Sequence, residues 1–522
     1  MLMQHVDQDA QVTGATRGHA VSRRTFLSAA GAGTVGVTVA GCVHGTTDTA
    51  KGAPQPVLFP PGKALRVQPV LLYAPSDRKA KTSWRGYGAI QSEADAEAEK
   101  GAIARDLHGL VEKSEFPVDV QPIRLVSSGE QAKEASALDT DAFLIYWAGG
   151  GSDWPGIIAE TKTPAILFVR HKVGAHYLGY EIVHWRCLRR NDDTITEPNI
   201  GVDDIVVDDH GEVLWRLRAL YGLKNARGTK MLAIGSLAAY SAPAQELGPG
   251  IAKDVWGYDI EIVPREEFQK RLDAVRADTG RMAVVKKQVA EFLDNPRVKL
   301  ATERRFVENS FVAWDLCREL LEEKNAFNFG FDLCMGAPVI EMLDTPPCLV
   351  LALANDAGYT AYCHTDLSHT LPGVLLRRIS GKPAFVCNTH FPHDGIMTVA
   401  HCAAPMRMNG RDYEPTTLMT HYESDYGAAT KVDYRKGQQV SVVMSNLHCS
   451  RWHGFKGTIV DAPSHPACRS QMDIAIEGDW KKLVNEMEGF HAQVVYGDYL
   501  REVGYALKKL GNVEWRDYSL PA

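Results

Sequence analysis

Along residues 65–335 the hydrophobic pattern switches period again and again. "LRVQPVLLYA" (65–74), "VDVQPIRLV" (118–126), "DAFLIYWAGGG" (141–151) and "PAILFVRH" (164–171) are short apolar runs that predict strands. "SEADAEAEKGAIARDLHGLVEKS" (92–114) has helical spacing and strong helix formers, and "SGEQAKEAS" predicts a short helix. The alternation returns in "GTKMLAIGS" (228–236) and in "YDIEIVPREEFQKRLDAVRAD" (258–278), a strand then a helix, and residues 279–325 read as largely helical. Such alternation implies parallel sheets covered on both faces. Two Rossmann-like α/β domains are therefore expected, at 65–180 and 181–335.

From about residue 336 the texture changes, and Gly, Pro, His and Cys become dense. "LMTHYES", "QQVSVVMSNL", "KGTIVDAP", "SQMDIAIEG" and "AQVVYGDY" are short and alternating, which predicts a mainly antiparallel, barrel-like β domain over 336–522. "YLREVGYALKKLG" (499–511) reads as a closing helix. Neither half carries GxGxxG after a strand or a P-loop, so no nucleotide site is indicated. The 522 residues are 45% hydrophobic and carry a formal net charge of −7 with scattered basic residues, which argues against a nucleic-acid partner.

The N-terminus changes the picture of location. Arg23–Arg24, then Phe26–Leu27, then a Gly- and Ala-rich apolar run resemble a twin-arginine export signal, and Val39-Ala40-Gly41-Cys42 resembles a lipoprotein cleavage box. Residues 1–42 are read as the signal and 43–64 as a linker. The expected location is the periplasm or cell envelope, with membrane contact only through a lipid anchor at Cys42. Without Cys42 nine cysteines remain, an odd number at irregular spacing and with no CxxC pair. They are read mostly as small buried apolar residues, and a thiolate zinc site of the usual spacing is not expected.

The densest chemistry lies in "AYCHTDLSHTLPGVLLRRISGKPAFVCNTHFPHDG" (361–395), with four histidines and two aspartates. "CLVLALANDAGYTAYCHTDLSHTLPGVLLRRISGKPAFVCN", "AHCAAPMRM", "THYESDYGAA", "CRSQMDIAI" and "GFHAQVVYGDYL" follow one another in an order that resembles the L-fucose/L-arabinose isomerase superfamily, in its "sugar isomerase" branch. The resemblance is good over the C-terminal third and weak over 65–335. It implies a metal-dependent aldose–ketose isomerase or epimerase acting on a sugar or sugar derivative, a small-molecule carbohydrate as partner, and a homo-oligomer, trimer or hexamer, with pockets between subunits.

Carried over residue by residue, the resemblance puts His364 where the family has the glutamate of "CExD", and Asn388 at a second acidic ligand. His401 and His491 fall on the family's histidine positions. The implied metal ligands are His364, Asn388, His401 and His491, with His364 and Asp366 as catalytic groups. Losing two carboxylates moves the preference from Mn²⁺ toward Zn²⁺, Ni²⁺ or Fe²⁺. If residues 364–366 continue a strand, His364 and Asp366 share a face. Trp147, His390 and Glu423 are candidate substrate contacts. His369 and His393 are read as loop histidines, and His448, His453 and His465 as surface. The altered ligands leave two other readings open: a sugar-binding protein with a degenerate site, and a lyase or hydrolase on the same fold.

Overall fold

The computed structural model describes residues 62–188, 199–333 and 336–519. The export signal, Cys42 and most of the linker lie outside the described residues. Among the described residues no single helix is long and apolar enough to cross a membrane.

The fold is α/β, with parallel-sheet units followed by a closed antiparallel barrel of six strands near the C-terminus. In the first sheet the order is Val118–Val120, Leu65–Leu72, Ala142–Trp147, Ala165–Val169 and Ile205–Val207, all parallel. The run expected as one strand over 118–126 is two, because Gln121-Pro122-Ile123 interrupts it before Arg124–Val126. In the second sheet Thr360–Cys363, Asn328–Phe331, Lys230–Ile234 and Asp259–Val263 are again parallel. The central strands of both sheets are buried on both faces and read as continuous apolar runs, as parallel strands must. Ile205–Val207 joins the first sheet and Thr360–Cys363 the second.

The barrel runs Gln439–Ser445, His491–Tyr496, Phe385–Thr389, Ile396–His401, Ser470–Glu477 and Arg451–Asp461, and closes by pairing of the last with the first. Closure leaves no open edge among these six. "LMTHYES" instead contributes to Thr416–Met419, in a separate three-stranded sheet with Ala429–Val432 and Val298–Leu300.

Three helices, Ala337–Leu343, Cys348–Asp356 and Leu367–Ser380, precede the barrel in a stretch expected to be β. Asp366 is the N-cap of Leu367–Ser380 and is not on a strand, so the shared face with His364 does not exist. In that helix only Arg378 and Ser380 escape full burial. It packs on helix His210–Ala226, where a side chain at Gly222 would collide with Ile379. It also packs on barrel strands Gln439–Ser445 and His491–Tyr496. A helix buried on all sides belongs in an interior, and here it joins the parallel sheets to the barrel.

Candidate metal centre

The carboxyl ends of parallel strands are where open α/β sheets present ligands. At that edge of the second sheet, adjacent strands run into Ser236, Asp332 and Cys363. Asp332 is completely buried; Arg265 grips it with Nε on Oδ1 (3.1 Å) and Nη2 on Oδ2 (2.7 Å), and the Ser236 hydroxyl donates to Oδ2 (2.7 Å). The Thr365 hydroxyl donates to the Ser236 carbonyl (2.8 Å) and accepts from Ala238 N–H (2.6 Å). Leu333 and His364 follow two neighbouring strands and both hold positive φ, +42° and +59°. Such backbone costs about 1–3 kcal/mol per residue and persists where the surroundings over-determine it.

The barrel supplies the other wall. Asn388 pairs with Ala400 on one side and His491 on the other, which brings His401 and His491 to the same end. Cys363 Sγ lies 3.0 Å from His401 Nε2, and ligand atoms of Cys363, His401 and His491 lie within 4.8 Å of one another, all three buried. Beside them is His369, completely buried, its ring 4.8 Å from that of His491. Burial pushes the His369 and His401 imidazoles down to about 4 and His491 well below its usual value, and the neighbouring histidines add to the shift. All three rings are therefore neutral at pH 7, the form that binds a metal.

The sequence expectations divide. His401 and His491 do come together, and the His, Cys and carboxylate donors they group with include Cys363 and not His364; Asn388 lies on the strand between theirs, paired with His491. His364 is half-buried, with burial lowering its pKa and Asp366 opposing. Asp366 accepts from Ser368 N–H (2.8 Å) and Tyr240 N–H (3.0 Å), so its carboxylate is committed to capping. His369 is an interior helix residue and not a loop histidine, because Leu367–Ser380 is buried on every face. His453 is likewise buried within a barrel strand and not on the surface.

Trp147 is completely buried in the apolar core of the first sheet. Glu423 is exposed and lies 3.7 Å from His421. His390 follows strand Phe385–Thr389, its backbone N–H bonded to the Thr398 carbonyl (2.9 Å). Sequence reasoning missed Cys363 and Asp332; the position of each directly after or at the end of an apolar run was the available signal.

No protein-family model matches the chain, and no curated protein matches it either.

The donor set fits a thiophilic divalent ion. One sulfur and two imidazole nitrogens suit Zn²⁺, Ni²⁺ or Fe²⁺. Mn²⁺, which favours oxygen, fits this set poorly.

Proposed function

We propose that the protein is a metal-dependent enzyme of the sugar-isomerase type, an aldose–ketose isomerase or epimerase, with Zn²⁺, Ni²⁺ or Fe²⁺ held by Cys363, His401 and His491. The observation that carries the reading is the convergence of these three buried side chains at the carboxyl edge of a parallel sheet. The motif order of the C-terminal third supports the sugar. So does Tyr240, 58% exposed, stacked on Phe490 at 4.4 Å and set edge-on to His491, an aromatic face on which the C–H side of a sugar ring packs. The same reading makes the two parallel sheets Rossmann-like domains and the protein exported and oligomeric.

A bound divalent ion supplies polarisation of neighbouring sugar oxygens. The chain's own residues supply the rest. His364, half-buried with a lowered pKa, is an imidazole free to accept a proton at neutral pH. Asp366, at the helix cap, acts on it through its charge alone, since its carboxylate oxygens are taken by Ser368 and Tyr240 N–H. Asp332, buried and held by Arg265 and Ser236, fixes the strand ends along the same edge.

One contact favours a second reading. Ala403 N–H donates to His401 Nδ1 (3.2 Å), which leaves the ring proton on Nε2, facing the Cys363 sulfur. That is a neutral imidazole donating to a sulfur: with Nδ1 taken by Ala403 and Nε2 protonated it has no lone pair for the thiol proton, so the pair is a structural contact that needs no metal. Elemental analysis of the full chain separates the two. About one Zn, Ni or Fe per chain is expected, falling below about a tenth in His491→Ala. No metal after incubation with excess of each ion overturns the metal reading and leaves the structural contact.

A further inference from the structure

Helix Leu367–Ser380 ends, about 14 Å along its axis from His369, in two consecutive arginines, Arg377 and Arg378. Arg377 donates to the Gly358 carbonyl. Arg378 lies flat over Phe327, 3.4 Å from the ring centroid. Its Nε is buried without a hydrogen-bond partner, and among the described residues no carboxylate forms a salt bridge with it. Burial lowers its pKa to about 10, with the Tyr221 and Tyr258 hydroxyls opposing, so it remains a cation at pH 7. A largely buried guanidinium without a counter-charge costs several kcal/mol.

Arg378 faces two cavities. The smaller, about 190 Å³, is lined by Arg218, Arg377, Arg378 and Tyr221, with Glu115 its one acid. Glu115 pairs with Arg218 at 2.9 Å and is 74% exposed. Arg218 is held by Glu115, and Arg377 is within electrostatic reach of buried Asp356, so the charge in surplus is that of Arg378. The Tyr221 hydroxyl accepts from Gly62 N–H (2.9 Å), which leaves its proton to donate. The larger cavity, about 450 Å³, shares Arg378 and Phe327 and adds Lys63, Lys224, Arg227 and Lys230 against Glu322. Lys224 and Lys230 are held by Asp141 and Glu261, and Arg227 is exposed. This concentration of positive charge stands out on a chain whose net charge is −7.

We propose that this paired cavity is a binding site for a phosphate monoester, its phosphoryl group in the smaller cavity against Arg218, Arg377 and Arg378 and the rest of the molecule in the larger. A phosphoryl group is an anion at neutral pH, which answers the uncompensated charge of Arg378, and its oxygens suit the guanidinium fork. A cavity of 190 Å³ is too small for a polymer.

The test is thermal unfolding of the full chain in inorganic phosphate, against chloride at the same ionic strength. Phosphate should raise the midpoint of the wild type in a saturable way. Arg378→Met keeps the stem on Phe327 and removes the charge. It should abolish the phosphate-dependent rise, and in chloride its midpoint should be no lower than that of the wild type, because an unbalanced charge has been removed. If Arg378→Met does not fold, Arg218→Gln should weaken phosphate binding by about tenfold or more. A rise equal in wild type and variant, or none in the wild type, overturns the site. Phosphate bound to a metal at the far end of the helix would appear as an equal rise, so this proposal fails or stands apart from the metal reading.

Discussion

The two ends of helix Leu367–Ser380 both take basic side chains out of water, and they do so by opposite means. At the first end His369, together with His401 and His491 from the barrel, sheds its proton, because an imidazole loses its charge for a small free-energy change when burial demands it. At the second end Arg378 has no such escape, since a guanidinium stays protonated throughout the working range. The histidine end becomes a set of neutral lone pairs suited to a cation. The arginine end keeps its charge and suits an anion. One buried helix thus runs between two surroundings of opposite preference, and the difference lies in side-chain chemistry, since the backbone is continuous between them.

Acid breaks the comparison most strongly. A buried imidazole that is neutral in the fold must resist protonation that the unfolded chain accepts. His453 shows this outside the metal centre: it is completely buried, Glu488 N–H donates to its Nε2 (3.2 Å), and burial lowers its pKa to about 4. The unfolded value is about 6.5, so the folded value is depressed. Its contribution is fully present above about pH 6.5 and is lost as pH falls toward 4. Urea unfolding at about pH 7 and about pH 4.5 should show wild-type stability falling, and a fall in His453→Gln that is smaller by up to about 1.4 kcal/mol per pH unit. Equal slopes would mean that His453 is protonated in the fold.

The first end is also anchored by its cap. Asp366 is completely buried and takes two backbone N–H groups, one of its own helix and one of the segment carrying Tyr240. Asp366→Ala should lower stability by about 1–2 kcal/mol. Asp366→Asn keeps an acceptor oxygen and should recover most of that loss. If Asp366→Asn instead left stability untouched and abolished turnover, the carboxylate would be a catalytic residue and not a cap.

What the sequence made legible follows the same physical line. The parallel strands announced themselves as apolar runs such as "DAFLIYW", and the barrel as short alternating segments. Helix Leu367–Ser380 did not, because a helix buried all round has no amphipathic period, and "CHTDLSHTLPGVLL" reads equally as strand or loop. Its cap, Asp366, and its terminal glycine, Gly381, were the usable signals. His401 and His491 were found through motif resemblance. Cys363 was overlooked because a cysteine ending an apolar run looks like a small core residue. Arg377 and Arg378 were invisible as a site, since adjacent charges usually mark a solvated face.

The smallest expected effect sharpens the second end. Gly381 stops the helix with φ +65°, its N–H bonded to the Arg377 carbonyl (2.9 Å), and an added Cβ would meet nothing within 4 Å. A substitution there therefore tests backbone conformation alone. Gly381→Ala should cost about 1 kcal/mol, and Gly381→Asn less, because asparagine tolerates the left-handed region. Neither should change the affinity for phosphate, because the stack on Phe327, and not the helix terminus, holds the Arg378 guanidinium over the cavity. A phosphate affinity that fell with Gly381→Ala in step with stability would show instead that the arginine end owes its charge placement to the turn.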